Sequence, residues 1–554
     1  MSVPQMAVAK KARSPRKANR EQPAEIDLRW DLAELPSSQH RAGLAGLVMV
    51  VRWLDRKPGG KRGTCDLVQV DAAGAALRLD LEGLKWLFDD IYAATCEEQE
   101  RSTPLKDGKK QVIPPLREVS RQVQDGKAGK LKEKTFYVYP RNVPRGSFLG
   151  DMDKPADGSP GLWIKLWRDM IWNILRGKPA QRAPFDARAE GRETVDAEET
   201  WRELVDPSQP SVDLPSTYFI GAQATTAEAV PFFDRARLRF LLHFWPFAAQ
   251  IYCPAWTNAK GERDLSAYAI AIPDVADLEG FCEELPYVLR GRSGEKDGYR
   301  PRESVIEVPI EGGLDSLRRL CARVGVAEGA RATGDLVLGI DVVHLDKEGK
   351  NVRLRGSGRV EPDVRMIDEY ARIRSACWDA EFRRRRVLNL VGGHPWSYGF
   401  DVLFETKPWE RFFHSPQFKY FNFPHDAREA FKEANVKDGA IAEEPVTPEG
   451  LVYRIVGTYL SMRVEAKTQL RWEQVKADPD KKKEYNEALE KVAKNAFLAV
   501  RSRSGADFVS YFTATLCSVP HHLGEERYLA LSKVLLTQPE TIRTLTMLAL
   551  SARG

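Results

Sequence analysis

Hydrophobic and polar positions in the first hundred residues alternate between strand-like and helix-like spacing. Residues 26–32 place apolar and polar side chains in turn, which is typical of a half-buried strand. Apolar residues at helical spacing predict helices over residues 40–53 and 81–99. Two short strands are expected near residues 64–70 and 76–81. This part of the chain is therefore predicted to mix helices and strands.

The next hundred residues carry weaker patterns. Residues 100–135 are rich in Gly, Lys and Pro and lack periodicity, so we expect a long surface loop there. A strand is predicted at residues 136–139, followed by a turn over residues 140–146. Helical spacing resumes over residues 163–175, and the polar, proline-bearing residues 178–215 are interpreted as a linker or an insertion.

The pattern changes near residue 448. Before it, residues 336–345 and 352–360 flank a turn and predict a hairpin, and residues 366–391 predict one helix. After it, strand patterns disappear and the helical patterns cover residues 451–472, 480–501, 506–516, 525–535 and 540–550.

The predicted fold class is α+β. We expect a disordered basic tail over residues 1–24, because they are rich in Lys, Arg, Pro and Ala and poor in apolar residues. A mixed α/β N-terminal body with basic loops is expected over residues 25–444, and a C-terminal helical bundle over residues 445–554.

Charge adds a functional indication. The 554 residues include 84 Lys/Arg and 79 Asp/Glu, a net charge of +5. Residues 1–20 contribute +6 and residues 106–145 contribute +7, so the remainder of the chain is acidic. Basic clusters of this kind favour a polyanionic partner, since they neutralise phosphates and release counterions. The alternative interpretation is that the two basic segments are a solvated tail and a solvated lysine-rich loop without a polyanionic partner.

The cysteine and hydropathy patterns indicate the cellular compartment in which the protein is expected. The seven cysteines are scattered without a CxxC pair, which favours a reducing, cytoplasmic environment and argues against a disulfide scaffold or a zinc finger. The apolar runs are shorter than the ~18–20 residues of a membrane helix, so no membrane partner is expected.

Motifs for catalysis are sparse. Phosphate-loop, HExxH and GxSxG motifs do not occur. Glu311-Gly-Gly-Leu-Asp315 resembles the Gly-Gly-Asp-Asp turn of nucleotide cyclases and polymerases only weakly, because it carries one carboxylate after the glycines, and we interpret it as a plain turn. His425-Asp426, with His414 nearby, is the other candidate, but Asp426 is better explained as a helix N-cap. We therefore expect no catalytic residue, metal site or cofactor.

The opening string Ile26-Asp-Leu-Arg-Trp-Asp-Leu-Ala-Glu-Leu-Pro-Ser-Ser-Gln-His-Arg-Ala-Gly-Leu-Ala-Gly46 resembles the start of the large subunit of a type I CRISPR surveillance complex (Cascade), of the I-A/I-B branch. The layout of a mixed body followed by helices agrees with it. The resemblance implies a non-enzymatic subunit beside the 5′ handle of the guide RNA that reads the motif flanking the target (PAM), helps open the duplex and holds the displaced strand.

The implied partners are the guide RNA, target double-stranded DNA, the displaced strand, the other Cascade backbone and small subunits, and a helicase–nuclease recruited in trans. Backbone contacts need Lys/Arg on loops, and motif reading needs guanidinium and amide groups near a turn. The candidate nucleic-acid-binding residues are Lys57, Lys61, Arg62, Lys127, Lys130, Lys132, Lys134, Arg141, Asn142, Arg145, Lys483, Lys491, Lys494, Arg501 and Arg503.

Two other functions stay open at this point. The chain can be interpreted as a metal-dependent nuclease that uses His414, His425 and Asp426. It can also be interpreted as a protein-interaction scaffold whose basic loops touch acidic partner surfaces. The scaffold would bind nucleic acid with little dependence on salt, whereas phosphate binding weakens steeply as salt rises.

The purified chain is expected not to hydrolyse DNA or RNA with or without divalent metal, because no motif in the sequence combines carboxylates or histidines in the pattern that a two-metal nuclease needs. Incubation of labelled substrates with Mg²⁺ or Mn²⁺ and gel analysis measures this. Metal-dependent cleavage that His425→Ala abolishes would establish the nuclease instead.

Overall fold

A computed structural model describes most of the chain. The described residues are 23–107, 109–125, 130–152, 162–173, 182–192, 196–206, 211–213, 233–257, 263–265, 267–290, 304–325, 333–348, 351–413, 422–436, 447–518 and 523–553. The predicted basic tail, except for its last two residues, lies outside them, as do Lys127 and His414. Within these ranges no helix is long and apolar enough to cross a membrane.

Strands occur from the start of the described chain to residue 360. In chain order they are β1 Glu25–Asp31, β2 Cys65–Val70, β3 Gly74–Asp80, β4 Ala94–Arg101, β5 Arg117–Asp125, β6 Lys130–Pro144, β7 Ser211–Asp213, β8 Phe233–Arg235, β9 Gln250–Pro254, β10 Trp256–Thr257, β11 Arg263–Asp264, β12 Ala267–Val275, β13 Val305–Ile306, β14 Val337–Glu348 and β15 Asn351–Val360.

Helices are distributed throughout and dominate after residue 360. In chain order they are α1 Ser38–Asp55, α2 Leu81–Ile91, α3 Phe148–Met152, α4 Leu162–Asn173, α5 Arg182–Ala189, α6 Asp196–Val205, α7 Ala236–Leu241, α8 Leu278–Arg290, α9 Glu311–Val324, α10 Thr333–Leu336, α11 Val364–Ala376, α12 Ala380–Val391, α13 Phe400–Thr406, α14 Phe423–Val436, α15 Pro448–Thr468, α16 Trp472–Val475, α17 Pro479–Arg501, α18 Gly505–Tyr511, α19 Glu525–Thr537 and α20 Pro539–Arg553. The mixed α/β class with a helical C-terminal region is confirmed.

The chain forms two compact units. Unit 1 comprises residues 1–151 and 175–247, and unit 2 comprises residues 152–174 and 248–554. Helix α14, which precedes the predicted boundary at residue 445, packs against the C-terminal helices α15 and α20. The autonomous folding of residues 445–554 stays a prediction.

Unit 1 is organised around helix α1, which is buried along most of its length. Ser37 caps this helix by accepting a hydrogen bond from the His40 backbone N–H. A Cβ atom added at Gly46 would lie 2.1 Å from the Phe244 carbonyl oxygen, so the glycine lets a second chain segment run directly against the helix. The antiparallel sheet β1-β3-β2 and helix α2 complete this core.

Unit 2 contains a five-stranded sheet of order β13-β9-β12-β14-β15. Helix α9 packs on this sheet, and its glycines permit close contact: a Cβ atom at Gly313 would lie 2.9 Å from methyl carbons of Val342 and Val360. After β15 the chain is helical, and α20 packs against α14, α15 and α17 with nearly all of its side chains from Ile542 to Ala552 buried.

A buried ionic network links helices α9, α11 and α12. Glu311 and Asp315, both fully buried, lie one turn apart on α9. The Arg383 guanidinium donates to Glu311 at 2.5 Å, and Asp315 accepts from Arg318 at 2.8 Å and from Arg319 at 2.8 Å. The motif predicted as a plain turn is instead the first turn of helix α9. Its buried Asp315 is neutralised by arginines of the same helix, and its buried Glu311 is neutralised by the distant Arg383.

Between residues 94 and 144 the prediction was wrong except for the strand expected at residues 136–139, which lies within β6. Helix α2 ends at Ile91, and β4 follows it. The predicted loop over residues 100–135 and the predicted turn over residues 140–146 largely belong to the antiparallel sheet β4-β6-β5. These strands expose charged side chains in place of the alternation that marks a half-buried strand. Arg117–Glu98 and Arg121–Glu100 ion pairs instead link the two outer strands across β6.

Two further elements also differ. The predicted linker over residues 178–215 contains helices α5 and α6, and Trp201 of α6 is buried. The predicted helix over residues 366–391 is broken into α11 and α12, because the Asp379 carboxylate accepts the N–H groups of Glu381 and Phe382 and so caps a new helix.

Glu311→Ala is expected to lower the free energy of unfolding by about 3–5 kcal/mol, because it leaves the Arg383 guanidinium buried without its partner. Chemical denaturation followed by circular dichroism measures the loss. Glu82→Ala removes an exposed carboxylate paired with Lys85 and is the matched control, with an expected change below about 1 kcal/mol. Equal losses for the two variants would contradict the network's role.

Candidate nucleic-acid interface

The sheet β4-β6-β5 of unit 1 is the structural base of the candidate interface. Strand β6 is central and pairs with β4 from Arg101↔Tyr137 to Ala94↔Pro144 and with β5 from Asp125↔Lys130 to Arg117↔Val138. Val138 and Tyr139 are buried, whereas most side chains of β4 and β5 are exposed. The sheet thus anchors one end of β6 in the unit and exposes the other end.

A small hairpin extends from this sheet over residues 105–113. The Tyr139 hydroxyl accepts a hydrogen bond from the Leu105 N–H at 3.0 Å and donates one to the Ile113 carbonyl at 3.0 Å, so one side chain holds both arms. The Asp107 carboxylate accepts the N–H groups of Lys109 and Gln111 at 2.8 Å each. The hairpin is therefore ordered by local hydrogen bonds and a single tyrosine.

The hairpin presents free positive charge. Lys106, Lys109 and Lys110 are exposed, and none has an ion-pair partner among the described residues. Val112 is 55% exposed and Leu116 is 61% exposed beside them. Cations with adjacent apolar side chains suit a nucleic-acid backbone and an opened base step. The sequence-based site omitted these lysines individually, although Asp107-Gly108 is a turn signature that indicates the hairpin.

The candidate lysines of β5 and β6 are described only in part. Lys127 lies outside the described residues, and for Lys130 and Lys132 the structure gives the backbone of strand β6. Lys134 is exposed, with its Nζ 5.7 Å from the centroid of the Phe136 ring. Their role as DNA contacts stays a prediction.

Arg141, Asn142 and Arg145 do not form the predicted turn. Arg141 and Asn142 lie within strand β6, opposite Glu97 and Cys96 of β4. The Asn142 side-chain amide donates to the Asp186 carboxylate at 2.7 Å, which gives it a partner inside unit 1. Arg141 and Arg145 have no ion pair among the described residues, so their guanidiniums remain available for a ligand.

The three candidate nucleic-acid-binding residues in the loop after α1 each form an ion pair with a carboxylate of the same unit. Lys57 forms an ion pair with Asp90 at 2.9 Å. Lys61 pairs with Asp66, and Arg62 pairs with Asp89. These contacts tie the loop to helix α2 and strand β2 and offset the charge that the sequence shows.

The candidates in unit 2 divide into two groups. Lys483 and Lys491 on α17 are exposed and have no ion pair within the described chain. Lys494 pairs with Glu490 at 2.6 Å, the Arg501 guanidinium donates to the Glu405 carbonyl at 3.0 Å, and Arg503 lies 3.6 Å from Asp507. Arg501 thus satisfies a carbonyl at the end of α13, which is a structural contact.

Asp426 is not the helix N-cap that the sequence suggested, because helix α14 begins at Phe423 and Asp426 lies within its first turn. The Asp426 carboxylate accepts the N–H groups of Trp378 at 2.8 Å and Asp379 at 2.6 Å, at the break between α11 and α12. The His425 ring stacks on Trp378, with the ring centroids 5.0 Å apart. No group of three or more His, Cys, Asp or Glu side chains within the described ranges is arranged to hold a metal ion.

Comparison with known families agrees with this architecture. A family model for the type I-B CRISPR Cas8b N-terminal domain matches residues 64–330, and one for the type I-B CRISPR Cas8b C-terminal domain matches residues 337–553. No curated protein matches the chain. The two family matches define the class as the large subunits of Cascade complexes. The chain belongs to the type I-B CRISPR Cas8b family, which confirms the resemblance found in the opening residues.

Burial raises the pKa of the Asp426 carboxyl to about 7. The folded chain therefore keeps a proton there that the unfolded chain, with an ordinary carboxyl pKa near 3.8, has already released. Stability is expected to fall as pH rises from about 4 through 7. Asp426→Asn, which retains an oxygen for the two N–H groups, should lose this contribution and become the more stable by about 1–3 kcal/mol above pH 7.

Denaturation midpoints of the two proteins between pH 4 and pH 8 measure the Asp426 effect. Titrating groups remote from Asp426 are shared and cancel in the difference between the two curves, so the difference reports Asp426 together with its neighbours Asp379 and His425. Parallel curves would show that Asp426 is ionised throughout and that its burial is offset by the two backbone hydrogen bonds.

Proposed function

We propose that the chain is a non-catalytic subunit that contacts the duplex beside the DNA target with the sheet β4-β6-β5 and its hairpin. Large subunits of this family are generally non-catalytic components of Cascade. The observation that carries the proposal is the ordered hairpin, which presents Lys106, Lys109 and Lys110 without ionic partners among the described residues. In Cascade, guide pairing reads the target sequence, so the protein has to contact backbone and a short flanking motif.

Each part of the interface has a distinct task in this proposal. The hairpin lysines contact phosphates of the flanking duplex, and Val112 and Leu116 lie where the strands separate. Arg141 and Arg145, whose guanidiniums are free among the described residues, read base edges of the flanking motif or contact its backbone. Contact with the guide RNA handle is proposed from the family alone.

The C-terminal helices hold the displaced strand in this proposal. Support comes from the exposed lysines of α17, Lys483 and Lys491, which have no ion pair within the described chain. A single strand needs a positive surface that follows its backbone, with aromatic rings for its bases. Trp472, which is 43% exposed, lies on the short helix that precedes α17.

Replacing Lys106, Lys109 and Lys110 by Gln is expected to weaken binding of the assembled complex to a duplex with its flanking motif. The plot of log affinity against log salt should become shallower by up to ~0.9 per lost phosphate contact. Electrophoretic mobility shifts at several salt concentrations measure both effects, with guide-RNA content checked separately.

The matched control replaces Lys57, Lys61 and Arg62 by Gln. It changes the net charge of unit 1 equally but removes cations that are already paired with carboxylates. We expect it to leave the salt dependence nearly unchanged. If the two triple variants weaken DNA binding and change its salt dependence equally, binding depends only on the net charge of the unit. The hairpin would then have no specific role in binding DNA.

A further inference from the structure

A groove of about 370 Å³ lies among the C-terminal helices of unit 2. Helices α14, α15, α16, α17 and α20 all contribute to its wall. Its wall contains two guanidiniums, Arg428 and Arg553, and three aromatic rings, Tyr453, Trp472 and Tyr485. The groove thus combines guanidiniums with aromatic rings in one wall.

Neither guanidinium forms an ion pair within 4.0 Å among the described residues, although Glu429 lies near enough to Arg428 for their charges to interact. Arg428 donates both Nε and Nη2 to the Ala552 carbonyl, at 3.1 and 3.0 Å, which satisfies the end of helix α20. The Arg553 Nε is buried and lacks a hydrogen-bond partner in the described part of the chain. Burial and the neighbouring Arg428 lower the pKa of Arg553. Two like charges held together in a groove favour an anionic ligand.

Helix α15 is shaped to hold the Arg553 side chain. The Arg553 guanidinium carbon lies 3.8 Å from the centroid of the Tyr453 ring, a cation–π contact. A Cβ atom at Gly457 would lie 2.5 Å from that same carbon, so the glycine lets the guanidinium lie flat against the helix. The position of the charge is therefore fixed before any ligand binds.

Trp472 is the exposed aromatic ring of the groove, whereas Tyr485 is buried. Trp472 packs against Tyr485 with ring centroids 5.7 Å apart, and the Lys482 Nζ lies 5.8 Å from the Trp472 ring. Asn486 and Ser461 add an amide and a hydroxyl to the wall. A carboxylate ligand would use the arginines alone, whereas a nucleotide would use the arginines through its phosphate and the exposed indole through its base.

We propose that this groove binds one nucleotide of a single strand, with its phosphate against Arg553 and Arg428 and its base on Trp472. The inference rests on the proposed function of the C-terminal helices, and it names the subsite where the displaced strand is held. The lysines of α17 then guide the neighbouring phosphates, because Lys482 borders the groove and Lys483 and Lys491 lie on the same helix.

The test is binding of a fluorescent thymidine oligonucleotide to the full chain, measured by anisotropy at several salt concentrations. Arg553→Gln is expected to weaken binding severalfold and to make the salt slope shallower by ~0.7. Trp472→Leu is expected to weaken binding about five- to a hundredfold, the range for loss of one stacked base. Arg553→Lys keeps the positive charge but lacks the planar guanidinium that can donate two hydrogen bonds to one phosphate. It should therefore recover part of the affinity lost in Arg553→Gln.

Two control variants match these changes. Arg463→Gln removes an exposed arginine that contacts Tyr459 of the same helix, and Trp378→Leu removes an exposed tryptophan outside the groove. Both are expected to bind the oligonucleotide like the unaltered chain. Circular dichroism melting confirms that each variant is folded.

The outcomes separate the inference from the proposed function. Normal binding by the unaltered chain, by Arg553→Gln and by Trp472→Leu would overturn the groove while the proposed function stands. No binding by the unaltered chain would overturn both. A third outcome comes from competition, in which unlabelled polymers displace the fluorescent oligonucleotide. If a glutamate homopolymer displaces it as effectively as the unlabelled oligonucleotide does, the groove binds an acidic protein segment, and the inference is overturned.

Discussion

Unit 2 depends on the neutralisation of two carboxylates inside its core. A buried carboxylate without a paired cation is costly, and helix α9 itself supplies two of the arginines that pair with Asp315. The others come from later helices: Arg374 lies 3.6 Å from Asp315, and Arg383 pairs with Glu311. Helices α11 and α12 are therefore positioned by charge on α9, which in turn lies on the five-stranded sheet.

This constraint extends from α12 to helix α14 of unit 2. Because α12 has to bring Arg383 to Glu311 and Arg386 to Glu433, its start is fixed relative to α14. Asp426 of α14 accepts the backbone N–H groups that the break between α11 and α12 exposes. The run of four arginines from Arg383 to Arg386 is thus mainly structural, since Arg384 also donates to the Glu307 carbonyl.

Elements with one buried face could be predicted from the sequence. Helix α17 begins and ends near its expected residues, because burial of one face imposes a period on the sequence. Helix α1, which is buried on nearly every side, and the hairpin β14–β15, which a turn marks in the sequence, also lie near their expected residues. The sheet β4-β6-β5 could not, because its exposed strands are held by backbone pairing and by ion pairs across β6, neither of which leaves a hydrophobic period. The class of protein was accessible from its opening residues even so.

The candidate site could be predicted only as a set of cations. Contacts with other parts of the protein decide which of these cations remain available to a ligand. The partners are distant in sequence, since Lys57 forms an ion pair with Asp90 and Arg501 donates to a carbonyl at the end of α13. A count of lysines and arginines therefore overestimates an interface wherever the fold supplies carboxylates or carbonyls. Lys106, Lys109 and Lys110 were recoverable in principle, since a turn signature lies among them.

The two hydrogen bonds of the Tyr139 hydroxyl have a consequence for how the sequence of this hairpin can evolve. Both arms of the hairpin are fastened to one hydroxyl, at Leu105 and at Ile113. Residues between these points can be inserted, deleted or exchanged without disturbing the register of β6 beneath them. The tip is thus an interchangeable module on a constant base, and related proteins can vary its length and charge independently of their fold.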